Sequence, residues 1–337
     1  MTNRERVLAT LQHRQPDRIP CSIGFTKDAH ARMAAFYGDP KFQEKIPNCF
    51  SDLHLDTGAI WREVRPNIWA DEFGVEWNRT VDHDIGVVCN TVITEDNIET
   101  APLPPAAPDP ALIERIRRLC DNKLAEDRFV GSGFGFSLFE RAWTLAGMET
   151  ILMWMAAEPE KLHRLLDRIL ELNLARIDAV CALDIDSVYF GDDWGQQNGL
   201  IMGPHAWREF FKPRLREMYG LVKRRGKFLK IHSCGCVQEI FPDLIEMGLD
   251  VFNPFQPEVM DPFEMKRKFG DRLCFHGGIS TQRLLPYGTP DQVRTEVRRL
   301  LDEVGRNGGY FAAPAHAIPG DAKPENIHAM LEVLKNQ

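Results

Sequence analysis

No stretch of the chain approaches the roughly 18 consecutive apolar residues that a membrane-spanning helix needs, and the opening residues, Met1 to Arg6, are polar rather than an apolar leader. A soluble, cytoplasmic protein is expected. Cationic clustering is equally scarce. The formal net charge is −8, and the one basic run, Lys223-Arg224-Arg225, suits a helix end, so no surface for a nucleic-acid backbone is expected. The eight cysteines contain no Cys-x-x-Cys pair, which argues for reduced thiols over a disulfide framework; only Cys234 and Cys236 cluster. A dinucleotide-binding fingerprint is also missing, because Gly131-Ser132-Gly133-Phe134-Gly135 has the wrong glycine spacing.

What is present is ordinary globular material: 44% hydrophobic and 27% charged residues are enough to build and solvate one large core, and residues 1–337 are read as a single domain. Thr2 and Glu5 have the spacing of a capping box ahead of an apolar face of Val7, Leu8 and Leu11, so a helix opens the chain. Residues 17–20 end it. The next hundred residues mix short extended pieces, at 19–25, 73–77 and 86–93, with turns, and read as insertions. A proline-rich connector at 101–110 leads into a helix that Asp109 starts.

Beyond it the pattern is regular. Six short apolar strands are expected near 129–131, 187–190, 228–231, 251–253, 273–275 and 310–312, each followed by a helical stretch. Such alternation implies a parallel sheet covered by helices, either open and doubly wound or closed. With two more strands from the N-terminal region it closes, so the expected fold is α/β, a TIM (β/α)8 barrel with N-terminal helical and extended insertions.

Barrel enzymes place their reactive groups just after each strand. Here those positions hold Asp192, Asp193 and Trp194; His232, Cys234 and Cys236; His276 with two glycines; and His316. His232 and Cys234 are two residues apart, so on an extended strand end both side chains point the same way and can share a metal ion. With His316 as third ligand they would make a zinc site that leaves a fourth position for substrate. The structural alternative is a satisfied core histidine beside a small, apolar cysteine. Cys236 is read as structural. Asp192 and Asp193 are candidate catalytic carboxylates or plain turn residues. His276 is either a substrate contact or part of a tight turn, and Trp194 and Phe134 either line a pocket or pack.

Several motifs together, Pro16-Asp17-Arg18-Ile19-Pro20, Gly191-Asp192-Asp193, His232-Ser233-Cys234-Gly235, Phe275-His276-Gly277-Gly278 and Pro324-Glu325-Asn326-Ile327, carry a family likeness over nearly the whole chain. The chain resembles the uroporphyrinogen decarboxylase superfamily and, within it, the corrinoid-dependent methyltransferase branch. That resemblance implies zinc at a His-x-Cys pair and methyl transfer between a corrinoid, supplied by a partner protein, and a small methyl donor or acceptor such as a thiol, methyl ether or methylamine. It implies that Asp193 orients substrate or accepts a proton. The chain departs from the branch in having His316 where a distal cysteine is expected, and from decarboxylases in having no arginine across residues 23–30. The alternatives are a metal-independent lyase acting on a tetrapyrrole-like or other carboxylated substrate, and a non-catalytic corrinoid- or tetrapyrrole-binding barrel. The segment Asp52 to Gly58 is superficially similar to a cobalamin-binding signature with its glycine one residue late, and is read as chance.

Overall fold

The computed structural model describes residues 1–55 and 61–337, and thirteen strands form among these described residues. β1 (Phe50–His54) is followed by four short strands, β2 (Arg62–Arg65), β3 (Ile68–Ala70), β4 (Glu76–Asn78) and β5 (Val87–Val88), that pair antiparallel in a sheet of their own. Then come β6 (Phe129–Phe134) and β7 (Ser187–Gly191), a small hairpin of β8 (Gly195–Gln196) and β9 (Gly199–Leu200), and β10 (Phe228–His232), β11 (Val251–Phe255), β12 (Cys274–Ile279) and β13 (Tyr310–Pro314). Seven of these, β1, β6, β7, β10, β11, β12 and β13, lie side by side in that order, and every pairing is parallel. Such strands are covered on both faces, which is why β6, β7, β12 and β13 are buried at every residue.

The two edges of this sheet meet across one residue. Cys21 bridges Ala312 of β13 on one side and Asn48, just before β1, on the other. Ser22 N donates to the Ala312 carbonyl at 3.2 Å, Ala312 N to Pro20 O at 2.9 Å, and Cys49 N to Cys21 O at 3.0 Å. With that segment as the eighth member the barrel closes, as expected, and no sheet edge is left open there.

The two N-terminal strands differ from expectation in an informative way. The extended piece at 19–25 does join the barrel, but the pieces at 73–77 and 86–93 contribute to the separate antiparallel sheet, and β1 is the barrel strand that pattern reading missed. Its sequence, Phe-Ser-Asp-Leu-His, carries a carboxylate in the barrel interior: Asp52 pairs with Lys230 of β10. Room for that carboxylate comes from Gly131, where a Cβ would lie 2.5 Å from Asp52 Oδ1.

The N-terminal end of the barrel is filled by Phe129, Val251, Cys274 and Phe311, against which the first helix (Asn3–Leu11) packs Val7 and Leu11. The Thr2–Glu5 capping box forms as the spacing predicts. On the outside, Phe241 is wholly buried among Phe252, Phe269 and Phe275, a position where truncation to alanine typically costs about 3–5 kcal/mol. Two expected helices are interrupted: the stretch from 204 runs through a π-turn at Trp207–Phe211 before Lys212–Arg224, and Pro290–Arg299 ends in another at Leu300–Val304. The antiparallel insertion is tied to the barrel helices by two arginines. Arg141 meets Asp71 at 2.9 Å and stacks on Phe73, and Arg176 meets Glu72 at 2.8 Å. No helix among the described residues is long and apolar enough to cross a membrane.

Candidate metal centre

β10 delivers its last residue, His232, to the C-terminal mouth of the barrel, and the chain then turns so that Cys234 lies beside it, with Sγ 3.5 Å from His232 Nε2. His316, two residues past the end of β13, brings its ring to the same place, 5.6 Å from that of His232 centre to centre. One ligand atom from each of the three lies within 4.8 Å of the other two. Two histidines and a cysteine facing one another, with His316 exposed and the other two half-buried, form an open donor set at the rim.

The direction in which His232 presents its lone pair follows from its neighbours. Asn253, at the centre of β11, donates from Nδ2 to the His276 carbonyl at 3.0 Å, so its Oδ1 is turned toward His232 Nδ1, 2.7 Å away. An amide oxygen accepts only; the proton therefore sits on Nδ1 and Nε2 faces Cys234 with a free lone pair. The cysteine loop is fixed as firmly. Asp193 Oδ1 accepts from Cys234 N at 2.8 Å, Gln256 Oε1 from Gly235 N at 2.6 Å, and Ser233 Oγ from Trp194 N at 3.1 Å. Gly235 has φ +84°, and a Cβ there would meet the Gly195 backbone at 2.3 Å, so this turn requires glycine. Burial and the negative charge of Asp193 push the Cys234 thiol well above its usual range. His316 is pulled below the ordinary imidazole range by lost hydration and by His232 beside it.

Beneath these groups the mouth opens into a cavity of about 690 Å³ whose lining includes His232, His316, Asp193, Asn253, Glu140, Lys230 and Arg79. Asp193 is therefore both a prop for the Cys234 backbone and a wall of the cavity, 3.9 Å from His232 Nε2. Glu140, which sequence reasoning did not single out, is a second carboxyl in that wall; desolvation first, then the charges of Asp193 and Asp192, raises its pKa well above the ordinary carboxyl range.

Four of the expected site residues sit elsewhere. Asp192 has no exposed surface and accepts from the backbone N–H groups of Leu138, Phe139 and Glu140, at 3.4, 3.1 and 2.8 Å, and from Trp194 Nε1 at 2.8 Å. It caps the helix Phe139–Ala146 instead of reaching the cavity. Burial pushes it up to about 6 against the pull of those donors. Trp194 and Phe134 are fully buried and pack, respectively, on Trp207 and Phe190. His276 points into the barrel interior, its ring stacked on Phe50 at 5.3 Å; burial, and then the Lys230 charge, takes it down to about 3. Its carbonyl is its tie to the centre, through Asn253. Asp56, Thr57 and Gly58, from the segment similar to a cobalamin signature, lie outside the described residues.

Comparison with known proteins places this chain in a family. The family model for uroporphyrinogen decarboxylase (URO-D) matches residues 68–337. The chain belongs to the uroporphyrinogen decarboxylase family. Among curated members, the uroporphyrinogen decarboxylase of Methylococcus capsulatus is 26% identical over 182 residues, covering 53% of this chain and 50% of that protein. That of Neisseria meningitidis is 23% identical over 226 residues, covering 66% of this chain and 62% of that one. These alignments span about half to three-fifths of the relatives' length. A solved structure of a methyltransferase from Methanosarcina mazei superposes over 100% of this chain and 99% of its own with a TM-score of 0.74 at 18% identity. The uroporphyrinogen decarboxylase-like barrel described above is thus shared from end to end with a known structure.

Proposed function

We propose that the protein is a zinc-dependent methyltransferase that moves a methyl group between a corrinoid carried by a partner protein and a small substrate, a thiol, methyl ether or methylamine, in the cytoplasm. The observation that carries this reading is the cluster of His232, Cys234 and His316, with His232 held in the tautomer a metal requires. A nitrogen, nitrogen, sulfur set suits zinc, and three protein ligands leave a position for a substrate atom.

Zinc held there would supply a Lewis acid that lowers the pKa of a bound thiol or polarises a bound ether or amine. The chain's own residues do the rest. Asn253 keeps Nε2 of His232 turned to the site, and Asp193 holds the Cys234 backbone with one oxygen. Beside it in the cavity wall, Glu140, whose carboxyl is held well above its ordinary range by burial and by the charges of Asp193 and Asp192, is placed to exchange a proton with an oxygen or nitrogen losing its methyl group.

The curated relatives are named as decarboxylases, but the cavity speaks against a tetrapyrrole with carboxylates around its rim. Its lining pairs two cations, Arg79 and Lys230, with four carboxyl groups, those of Asp52, Asp84, Glu140 and Asp193, and Lys230 already answers Asp52. Such a wall offers no cluster of cations to hold several carboxylates at once. The experiment is an anaerobic assay of zinc-loaded protein with free cob(I)alamin and a panel of methyl ethers and methylamines, and with methylcobalamin and thiols. Interconversion of the two cobalamin spectra is expected. Decarboxylation of uroporphyrinogen without methyl transfer would overturn the reading.

A further inference from the structure

The antiparallel insertion contributes one charged group to the cavity, and its surroundings are specific. Arg79, the residue after β4, lies with its guanidinium carbon 4.4 Å from the ring centre of Trp61 and 5.2 Å from that of Trp69. Its Nε donates to the Ile85 carbonyl at 3.1 Å, which fixes the plane of the group. Gly86 leaves room for the stem: at φ +95°, a Cβ there would come within 2.9 Å of Arg79 Cγ. Stacked, oriented and given space, the guanidinium is pre-organised at the wall of the cavity that also holds His232 and His316.

What it lacks is an anion. Among the described residues no carboxylate forms an ion pair with Arg79. The two nearby acids are otherwise engaged: Asp82 accepts the backbone N–H groups of Asp84, Ile85 and Gly86, and Asp84 pairs with Lys27 at 3.8 Å. Lys230, the other cation of the lining, is answered by Asp52. A half-buried cation whose two terminal nitrogens meet no acceptor among the described residues has a cost that a ligand's anion can remove. The flat fork matches two carboxylate oxygens, and the acidic groups elsewhere in the lining favour one negative charge over several.

We propose that Arg79 anchors a carboxylate on the substrate, so that the molecule acted on is a carboxylate-bearing methyl donor or acceptor whose reacting heteroatom faces His232, Cys234 and His316. The identity of the reacting end rests on the methyltransferase reading; the anchor does not. It is therefore tested on protein stripped of metal with a chelator, by calorimetric titration with 4-methoxybenzoate and its neutral isostere 4-methoxybenzamide, aromatic probes chosen because Trp61 and Phe136 form the walls.

The acid should bind about tenfold or more tightly than the amide, the usual effect of a charge-assisted pair. Arg79→Gln should erase that preference while leaving amide binding in place, and Arg79→Lys, which keeps the charge but not the fork, should restore only part of it. Equal binding of acid and amide, a preference that survives Arg79→Gln, or no binding of the acid at millimolar concentration would each overturn the proposal. Zinc content measured separately on untreated protein reports on the methyltransferase reading, so either can fail without the other.

Discussion

Asp192 follows β7, and the cluster of His232, Cys234 and His316 is built from the adjacent β10 and from β13 at the far end of the sheet; they differ in what answers their polar atoms. Around Asp192 every partner is protein: four N–H donors converge on one carboxylate with no exposed surface. At the mouth three ligand atoms face one another across less than 4.8 Å, and the hydrogen bonds of the surrounding residues are spent on holding them there. A polar group satisfied by the chain holds the fold; donor atoms aimed at one another hold a place for a ligand. A carboxylate consumed by the fold and one that walls the cavity are a single residue apart, Asp192 and Asp193.

The comparison is broken most readily at the satisfied end. Asp192→Ala strands four donors in a dry site and should lower the unfolding free energy by about 3–5 kcal/mol. Urea unfolding measures this, and zinc per folded molecule should not change. A loss under about 1 kcal/mol would mean the cap is not structural.

Acid sharpens the contrast next. His276 is held neutral down to about 3 by burial, whereas in the unfolded chain it titrates near its usual value of about 6.5. The unfolded state takes up the proton first, so the stability contribution is intact above about pH 6.5 and falls by about 1.4 kcal/mol per unit as the pH drops toward about 3. Unfolding curves at several pH values should show that slope, and it should be shallower in His276→Leu.

Asn253→Ala leaves all three candidate ligands in place but frees the His232 ring. Metal affinity measured by competition with a chromophoric chelator should weaken about 10- to 100-fold. Cys236 is the smallest test: Cys236→Ser should leave metal affinity unchanged, because Cys236 is held by its backbone N–H on the Gln196 carbonyl and is not among the three residues whose ligand atoms cluster.

The regular part of the barrel was legible because its strands are apolar on both faces and separated by amphipathic helices, and reading along their ends led to His232, Cys234 and His316. The N-terminal strands were not, for physical reasons. Cys21 joins the barrel through bridges at one residue, and β1 is only half-buried over residues 50–53 and carries Asp52, whose partner Lys230 is 178 residues away. Nor does spacing separate Asp192 from Asp193, since both follow the same apolar strand; the helix end that claims Asp192 arrives from residues 138–140. Asn253 closed the expected strand 251–253 without being singled out; it lies at the centre of β11, and its importance depends on a 2.7 Å contact with β10. Arg79 and Glu140 come from an insertion and a helix start, and their place in the cavity exists only once the chain has folded.

The most direct test of the account is elemental analysis of wild type, Cys234→Ser and His316→Ala, purified in parallel under reducing conditions without chelator, with a thermal melt of each. The account predicts about one zinc per chain in wild type, lost from both variants while both remain folded. Wild type without zinc, or His316→Ala that keeps it, would contradict the metal centre proposed here.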